Sequence, residues 1–387
     1  MNAAKPLKIG ITCHPSQGGS GVLATELGRE LARRGHEIHF ITSRMPYRLR
    51  SLNEPRIFFH EVQALHYPVF EHTPYTLALA ARLAEIYCLH KLDLFHVHYA
   101  IPHAAAAILA RQMMEPCHSP IVTTLHGTDV TLVGQDPSYR SMVRFCLEKS
   151  DAVTAVSDWL AQTTTDAFNP SCPVSRIHNF ADPQLFTPGE KNLSRSSLAE
   201  PHQKIFLHVS NFRPVKCIPD VVRTFARAVD LGIDGILVLA GEGPELSPAI
   251  ELARHLGVAD RLRPMGLVDD ITALLPLADI FLFPSNGESF GLAPLESLLC
   301  EVPVVGARAG GLPEVVDHGE TGFLSPVGDW EEMALSCLTL LESDLGKEMG
   351  RLGRVRAIER YSPDTIVAQY EALYMRLLAN KKPCQHS

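Results

Sequence analysis

Apolar residues follow two alternating rhythms along this chain. Short runs in which nearly every position is apolar, at 7–12, 37–42, 57–62, 94–97, 121–124 and 152–156, read as strands buried on both faces. Between them, 21–34, 75–90, 103–114 and 138–149 have helical length and amphipathic spacing. That order predicts an α/β fold, a parallel sheet with helices on both sides. A polar, turn-rich stretch at 188–203 interrupts the rhythm, and a second series of strand-like runs follows at 205–210, 235–240, 262–265, 280–283 and 302–305. We therefore expect two Rossmann-like domains, 1–187 and 188–362, facing a central cleft, with the hinge at 188–203. A last helical stretch, 363–380, is expected to cross back to the first domain. Ligands of such folds sit beyond the carboxyl ends of the strands, so the chemistry is sought in the loops that follow them.

Composition narrows the classes. A chain of 387 residues is long for one core, which agrees with two domains. With 35 basic and 43 acidic side chains the formal charge is -8, which gives no general attraction to nucleic acid or to anionic lipid and leaves small molecules as the partners to consider. Nine scattered cysteines without a C-x-x-C pair indicate neither a disulfide framework nor a zinc ribbon, and a reducing cytoplasm suits them. The amino terminus enters a strand almost at once with no signal-peptide core, and no apolar run reaches the ~20 residues that a membrane-spanning helix needs. Composition leaves homo-oligomer formation open.

The densest cluster is Glu288-Ser289-Phe290-Gly291-Leu292-Ala293-Pro294-Leu295-Glu296. The apolar residues of 292–299 suit a buried helix, which places Phe290 and Gly291 at its first turn, where unpaired N–H groups and the helix dipole attract an anion. Glu288 before that seat and Glu296 just over one turn inside it can each reach a group beside a bound diphosphate, as a nucleotide sugar would offer. Taken alone, the two glutamates read more plainly as solvated side chains.

Other strand ends add candidates. Gly19-Ser20-Gly21-Val22-Leu23-Ala24 matches G-x-G-x-x-A, which raises the alternative of an NAD(P)-dependent oxidoreductase. The five residues between Cys13 and Gly19, and the lack of an acid after Phe40-Ile41-Thr42-Ser43, count against it. In His96-Val97-His98-Tyr99, Tyr99 can turn its hydroxyl toward a ligand, whereas His96 reads as a hydrogen-bonded core residue. No cysteine or carboxylate nearby completes a metal set, and His60 and His66 lie in another segment. In Thr123-Thr124-Leu125-His126-Gly127-Thr128-Asp129, His126 suits a sugar hydroxyl or a departing group, and Asp129 reads as a helix cap. Arg144 offers a two-pronged guanidinium for an anionic acceptor, although a surface arginine is the plainer reading. Arg213 and Lys216 bring two cations into one turn and invite phosphate. Gly241-Glu242-Gly243 lets the chain pass closely beneath a nucleotide, and 306–314 with 319–322 read as packing and turn elements.

Taken in this order, the glycine loop near Gly19, the His126 loop, Arg213 with Lys216, Gly241-Glu242-Gly243 and the Glu288/Glu296 pair resemble a retaining glycosyltransferase of the GT-B fold, in the large family that includes sucrose and glycogen synthases of bacterial type. Within it, CHPSQGGSGVLATELG, HVHYAIPHA, TTLHGTDVTLVG and VSNFRPVK are most similar to members of bacillithiol biosynthesis. The resemblance implies transfer of N-acetylglucosamine from UDP-GlcNAc to the hydroxyl of L-malate, with no catalytic metal and no cofactor. An inositol phosphate or a second sugar is the alternative acceptor. It implies that Arg213, Lys216 and the N–H groups near Gly19, Phe290, Gly291 and Leu292 hold the diphosphate, that Gly241 lies in the donor site, that Glu288 binds sugar hydroxyls and that Glu296 binds the ribose. Ser20, Tyr99, Thr124 and Arg144 would hold malate, with His126 beside the reacting sugar. One position departs from the family pattern. The arginine usual five residues before the phosphate-binding lysine is Asn211 here, and Arg213 lies three before Lys216.

Overall fold

The computed structural model describes residues 5–15, 18–49, 54–66, 69, 71–115 and 119–379. Ser16 and Gln17 of the glycine loop, Cys117, Cys384 and the expected end of the last helix at Asn380 lie outside the described residues. The chain forms two compact units, Met1–Asn179 with Pro363–Ser387, and Phe180–Ser362, so the polar stretch 188–203 lies within the second.

The first unit holds a seven-stranded sheet of β1 (Lys8–Thr12), β2 (Glu37–Thr42), β3 (Ile57–Glu61), β4 (Leu94–His98), β5 (Ile121–Leu125), β6 (Ala152–Ala155) and β7 (Val174–Arg176), in the order β3-β2-β1-β4-β5-β6-β7. The second holds six strands, β8 (Lys204–Val209), β9 (Gly235–Ala240), β10 (Leu262–Gly266), β11 (Ile280–Phe283), β12 (Val304–Ala307) and β13 (Gly322–Ser325), in the order β10-β9-β8-β11-β12-β13. Every pairing is parallel. Each sheet therefore reverses its winding once, at β1/β4 and at β8/β11, and those reversals are where open α/β sheets leave a crevice for ligands.

Burial explains the strand assignments. β4, β5 and β9 are buried at every position; an unbroken apolar run marks β9, whereas β4 carries His96 and His98 and β5 carries Thr123 and Thr124 within the buried run. In the second unit Phe206, Leu237, Ile280 and Leu282 pack with Phe225 and Val221 of the helix Ile218–Asp230 in one core, each contributing about 1.5–3 kcal/mol of burial. The edge strands β7 and β13 carry weaker patterns: the two terminal residues of β7 are exposed, and β13 begins at Gly322 within a run that reads as a turn. β12 starts at Val304 rather than at 302, because Pro303 has no N–H to give the ladder and serves it only through its carbonyl, which accepts from Phe281 at 3.0 Å.

The helix Pro363–Ala379 belongs to the first unit. Ile366, Val367, Tyr370, Leu373 and Tyr374 are buried there, and Arg34 pairs with Asp364 at 2.7 Å and Glu371 at 2.9 Å. No helix among the described residues is long and apolar enough to cross a membrane.

Candidate active site

In the second unit the loop after β8 and the loop after β11 are built as one piece. His208, buried within β8, lies 2.8 Å from the Leu282 carbonyl of β11 through Nδ1 and 2.8 Å from Ser210 Oγ through Nε2. A carbonyl only accepts, so Nδ1 carries the proton and Nε2 accepts from the serine hydroxyl. Ser210 Oγ in turn accepts the N–H of Phe212 at 3.1 Å. Burial holds the His208 pKa down at about 4, which keeps this relay neutral. Phe212 is fully buried with φ of 40°, a conformation that bulky residues rarely adopt, and its carbonyl accepts from Glu245 N at 3.0 Å.

This scaffold presents Lys216 at the end of the short turn Pro214–Lys216. Lys216 Nζ donates to Glu288 Oε2 at 2.5 Å, with side-chain exposures of 18% and 15%. The ammonium also lies 5.2 Å from the centre of the Phe283 ring, and Asn286 N donates to the Val215 carbonyl at 3.0 Å, tying the two loops together. Arg213 and Asn211 are both exposed. Two solvated glutamates are thus not what the fold contains, since Glu288 is ion-paired and Glu296 is only 8% exposed.

The helix Leu292–Leu299 begins after Gly291, which is its cap rather than part of its first turn. Leu292 and Ala293 occupy the first turn, where no intrahelical carbonyl reaches their N–H groups, and Pro294 brings none. Phe290 is buried, edge-on to Tyr361 at 5.4 Å. Two glycines permit the close packing behind these loops. A Cβ on Gly310, whose φ is 60°, would run into the Glu288 carbonyl, and a Cβ on Gly241, whose φ is 128°, would run into the Ser210 carbonyl. Gly241 is therefore pressed against the backbone at the end of β8, and its N–H donates to the Gly266 carbonyl at 2.7 Å.

In the first unit the ends of β1, β4 and β5 gather aromatic and polar groups. The helix Gly19–Arg33 begins two residues earlier than expected, which places Gly19 and Ser20 in its first turn with N–H groups that lack intrahelical acceptors. His98 Nδ1 and His126 Nε2 share a hydrogen bond of 2.9 Å, and His103 Nδ1 donates to the His98 carbonyl at 2.5 Å. Burial, with a smaller contribution from His14, pushes the His126 pKa down to about 3, and the same desolvation acts most strongly on His103, also at about 3. Tyr99 has φ of 83°, and its hydroxyl accepts from Thr128 Oγ1 at 3.3 Å. The His14 ring lies edge-on to Tyr99 at 5.0 Å.

Two expectations change here. Thr124, expected to hold the acceptor, is fully buried, and its Oγ1 lies 2.7 Å from both His96 Nε2 and Thr154 Oγ1. Asp129 is not a cap but the second residue of the helix Thr128–Thr131. Its carboxylate accepts from Gly127 N at 2.9 Å, His126 N at 3.2 Å and Ala100 N at 3.4 Å, locking the His126 loop. Burial raises its pKa to about 6 against those donors. Arg144 is exposed on the helix Pro137–Lys149. Sequence reading missed His208 and Asp129 as builders of these loops; a histidine within an apolar strand run was the one available signal for His208.

Comparison with known proteins agrees with this organisation. Residues 17–185 match Glycosyltransferase Family 4, and residues 190–355 match Glycosyl transferases group 1. The chain is 45% identical over 378 residues to N-acetyl-alpha-D-glucosaminyl L-malate synthase of Bacillus anthracis, covering 97% of this chain and 98% of that protein. It is 30% identical over 190 residues to D-inositol 3-phosphate glycosyltransferase of Mycobacterium marinum, covering 47% of this chain and 40% of the relative. Among solved structures, sucrose-phosphate synthase of Thermosynechococcus elongatus matches with a TM-score of 0.80 at 22% identity over 97% of this chain and 100% of that one. HepE of Anabaena, solved in complex with UDP and glucose, matches with a TM-score of 0.79 at 20% identity over 95% and 99%. These matches leave no place for the oxidoreductase reading of the Gly19 loop, and the chain belongs to glycosyltransferase family 4, the GT-B enzymes that transfer sugars.

Proposed function

We propose that this enzyme moves N-acetylglucosamine from UDP-GlcNAc to the hydroxyl of L-malate with retention at the anomeric carbon, the first step of bacillithiol synthesis, in the cytoplasm. The observation that carries this reading is the 45% identity to an N-acetyl-alpha-D-glucosaminyl L-malate synthase across almost the whole of both chains. The inositol phosphate relatives match only about half of this chain.

The donor belongs to the second unit. Lys216, with Arg213, neutralises the diphosphate, and the N–H groups at Gly291 and Leu292 face the same charge. Glu288 accepts from sugar hydroxyls, and Glu296 from the ribose. Gly241 helps shape the donor site by holding the chain against Ser210.

The acceptor belongs to the first unit, where Ser20, Tyr99 and the Arg144 guanidinium suit a small dicarboxylate. Thr124 contributes by holding His96 in place. His126, neutral at working pH, accepts from or donates to a sugar hydroxyl without adding charge.

The reaction is a front-face substitution. The malate oxygen bonds to the anomeric carbon on the face from which the phosphate oxygen departs, and the malate proton passes to that phosphate oxygen. Lys216 offsets the charge growing on the departing UDP. Incubation with UDP-GlcNAc and L-malate, followed by mass spectrometry, should show one N-acetylhexosamine added to malate with release of UDP. UDP release with inositol phosphate but not with malate would overturn the acceptor assignment.

A further inference from the structure

We propose that His39, His60 and His90 form a binding site in the first unit for one divalent transition metal of the zinc class, which ties together two strands and the end of a helix. One ring nitrogen of each lies within 4.8 Å of the other two. The fold assembles the set from three elements. His39 and Ile41 point to the same face of β2, and Ile41 pairs in register with His60 of β3, so both imidazoles stand on one face of the sheet. His90 is the last residue of the helix Tyr75–His90. Its ring centre lies 4.5 Å from that of His39 and 5.1 Å from that of His60.

Neighbouring groups orient the ligand atoms. His39 Nε2 lies 2.9 Å from Glu37 Oε1, so that nitrogen carries the proton and donates. The Nδ1 lone pair is then directed at His60 Nε2, 2.8 Å away. Glu37 is itself held by Lys8 at 3.0 Å. A carboxylate behind a histidine that fixes its tautomer is the outer-shell arrangement that metal-binding imidazoles use. Two nitrogens on a tetrahedral zinc stand about 3.3 Å apart, so His39 and His60 need separate by only about 0.5 Å, with His60 taking its Nδ1–H tautomer. The Arg82 charge nearby is paired with Glu85 at 2.7 Å. Three imidazoles without carboxylate ligands suit zinc, copper or nickel rather than magnesium or calcium, and leave the fourth position to water.

The test uses the untagged full-length chain, stripped of metal by chelation and titrated with cobalt(II) and then zinc(II). One equivalent of cobalt should give the visible absorption of a tetrahedral site, zinc should displace it, and saturating zinc should raise the melting temperature. His90→Gln alters a half-buried helix end and should melt like the parent without metal, yet lose the cobalt band and bind zinc at least tenfold more weakly. His60→Gln should do the same, and Glu37→Gln should weaken binding by about 10–100-fold. Absence of the band in the unaltered chain would overturn the proposal by leaving the histidines as a hydrogen-bonded cluster. A band that survives undiminished in both histidine variants would also overturn it.

Discussion

Lys216 and Glu288, 72 residues apart in the chain, meet in an ion pair of 2.5 Å because the strands that carry their loops, β8 and β11, are neighbours at the winding reversal of the second sheet. On the function proposed above, the pair holds a cation ready for the diphosphate of the donor. Lys216→Ala should lower kcat by about 10²–10³-fold, the range for losing one preorganised donor to developing charge. Glu288→Gln should lose turnover while UDP still binds. Steady-state kinetics with calorimetric titration of UDP separates the two effects, and unchanged kcat in Lys216→Ala would remove that lysine from the chemistry.

Glu296 is expected to act through affinity. Glu296→Gln keeps the shape of a residue that is 8% exposed but removes the charge that would grip a ribose. UDP should bind about tenfold more weakly, which is about 1.4 kcal/mol. An unchanged dissociation constant would mean that the carboxylate serves only the packing of its helix.

Gly310→Ala offers a test from behind the site. Its side chain would collide with the Glu288 carbonyl, and Gly311 N, which now donates to that carbonyl at 2.7 Å, would be displaced with it. Activity should fall by at least tenfold with the circular dichroism spectrum retained, because the strain is local to one loop. Full activity would show that the Glu288 loop tolerates the shift.

Acid should destabilise the first unit through its buried histidines. His96 and His103 are fully buried with pKa values of about 3, so the unfolded chain takes up protons below about 6.5 that the folded chain refuses. The stability they support is complete above about pH 6.5 and declines as pH falls toward 3, by up to about 1.4 kcal/mol per pH unit for each. Asp129 acts in the opposite sense. Its pKa of about 6 exceeds the unfolded value, so its contribution is largest at low pH and is lost as pH rises through 6, offsetting part of the decline. Scanning calorimetry from pH 7 to pH 4 should show the melting temperature falling, and a flat profile would contradict the neutral, buried assignment.

Much of this was legible because strand burial and loop chemistry speak locally. Runs such as Gly235–Ala240 and Ile280–Phe283 announce themselves by unbroken apolarity, and the loops after them hold the glycines and carboxylates of the candidate site, while Arg213 and Lys216 follow β8. Contacts made through sheet order were not legible. Nothing near Thr124 reveals that its hydroxyl faces His96 and Thr154, and nothing near His208 reveals the Leu282 carbonyl, 74 residues away. The edge strand β13 was hidden for a different reason: its first residue, Gly322, sits where turn chemistry outweighs strand propensity.

The helix Pro363–Ala379 places Tyr370 and Tyr374 in the interior of the first unit, with Tyr374 Oη 2.6 Å from His96 Nδ1 across 278 residues of chain. A ribosome making this protein therefore finishes the seven amino-terminal strands long before the piece that closes their interior emerges. The early portion must wait, open on one flank, until those later residues have been made.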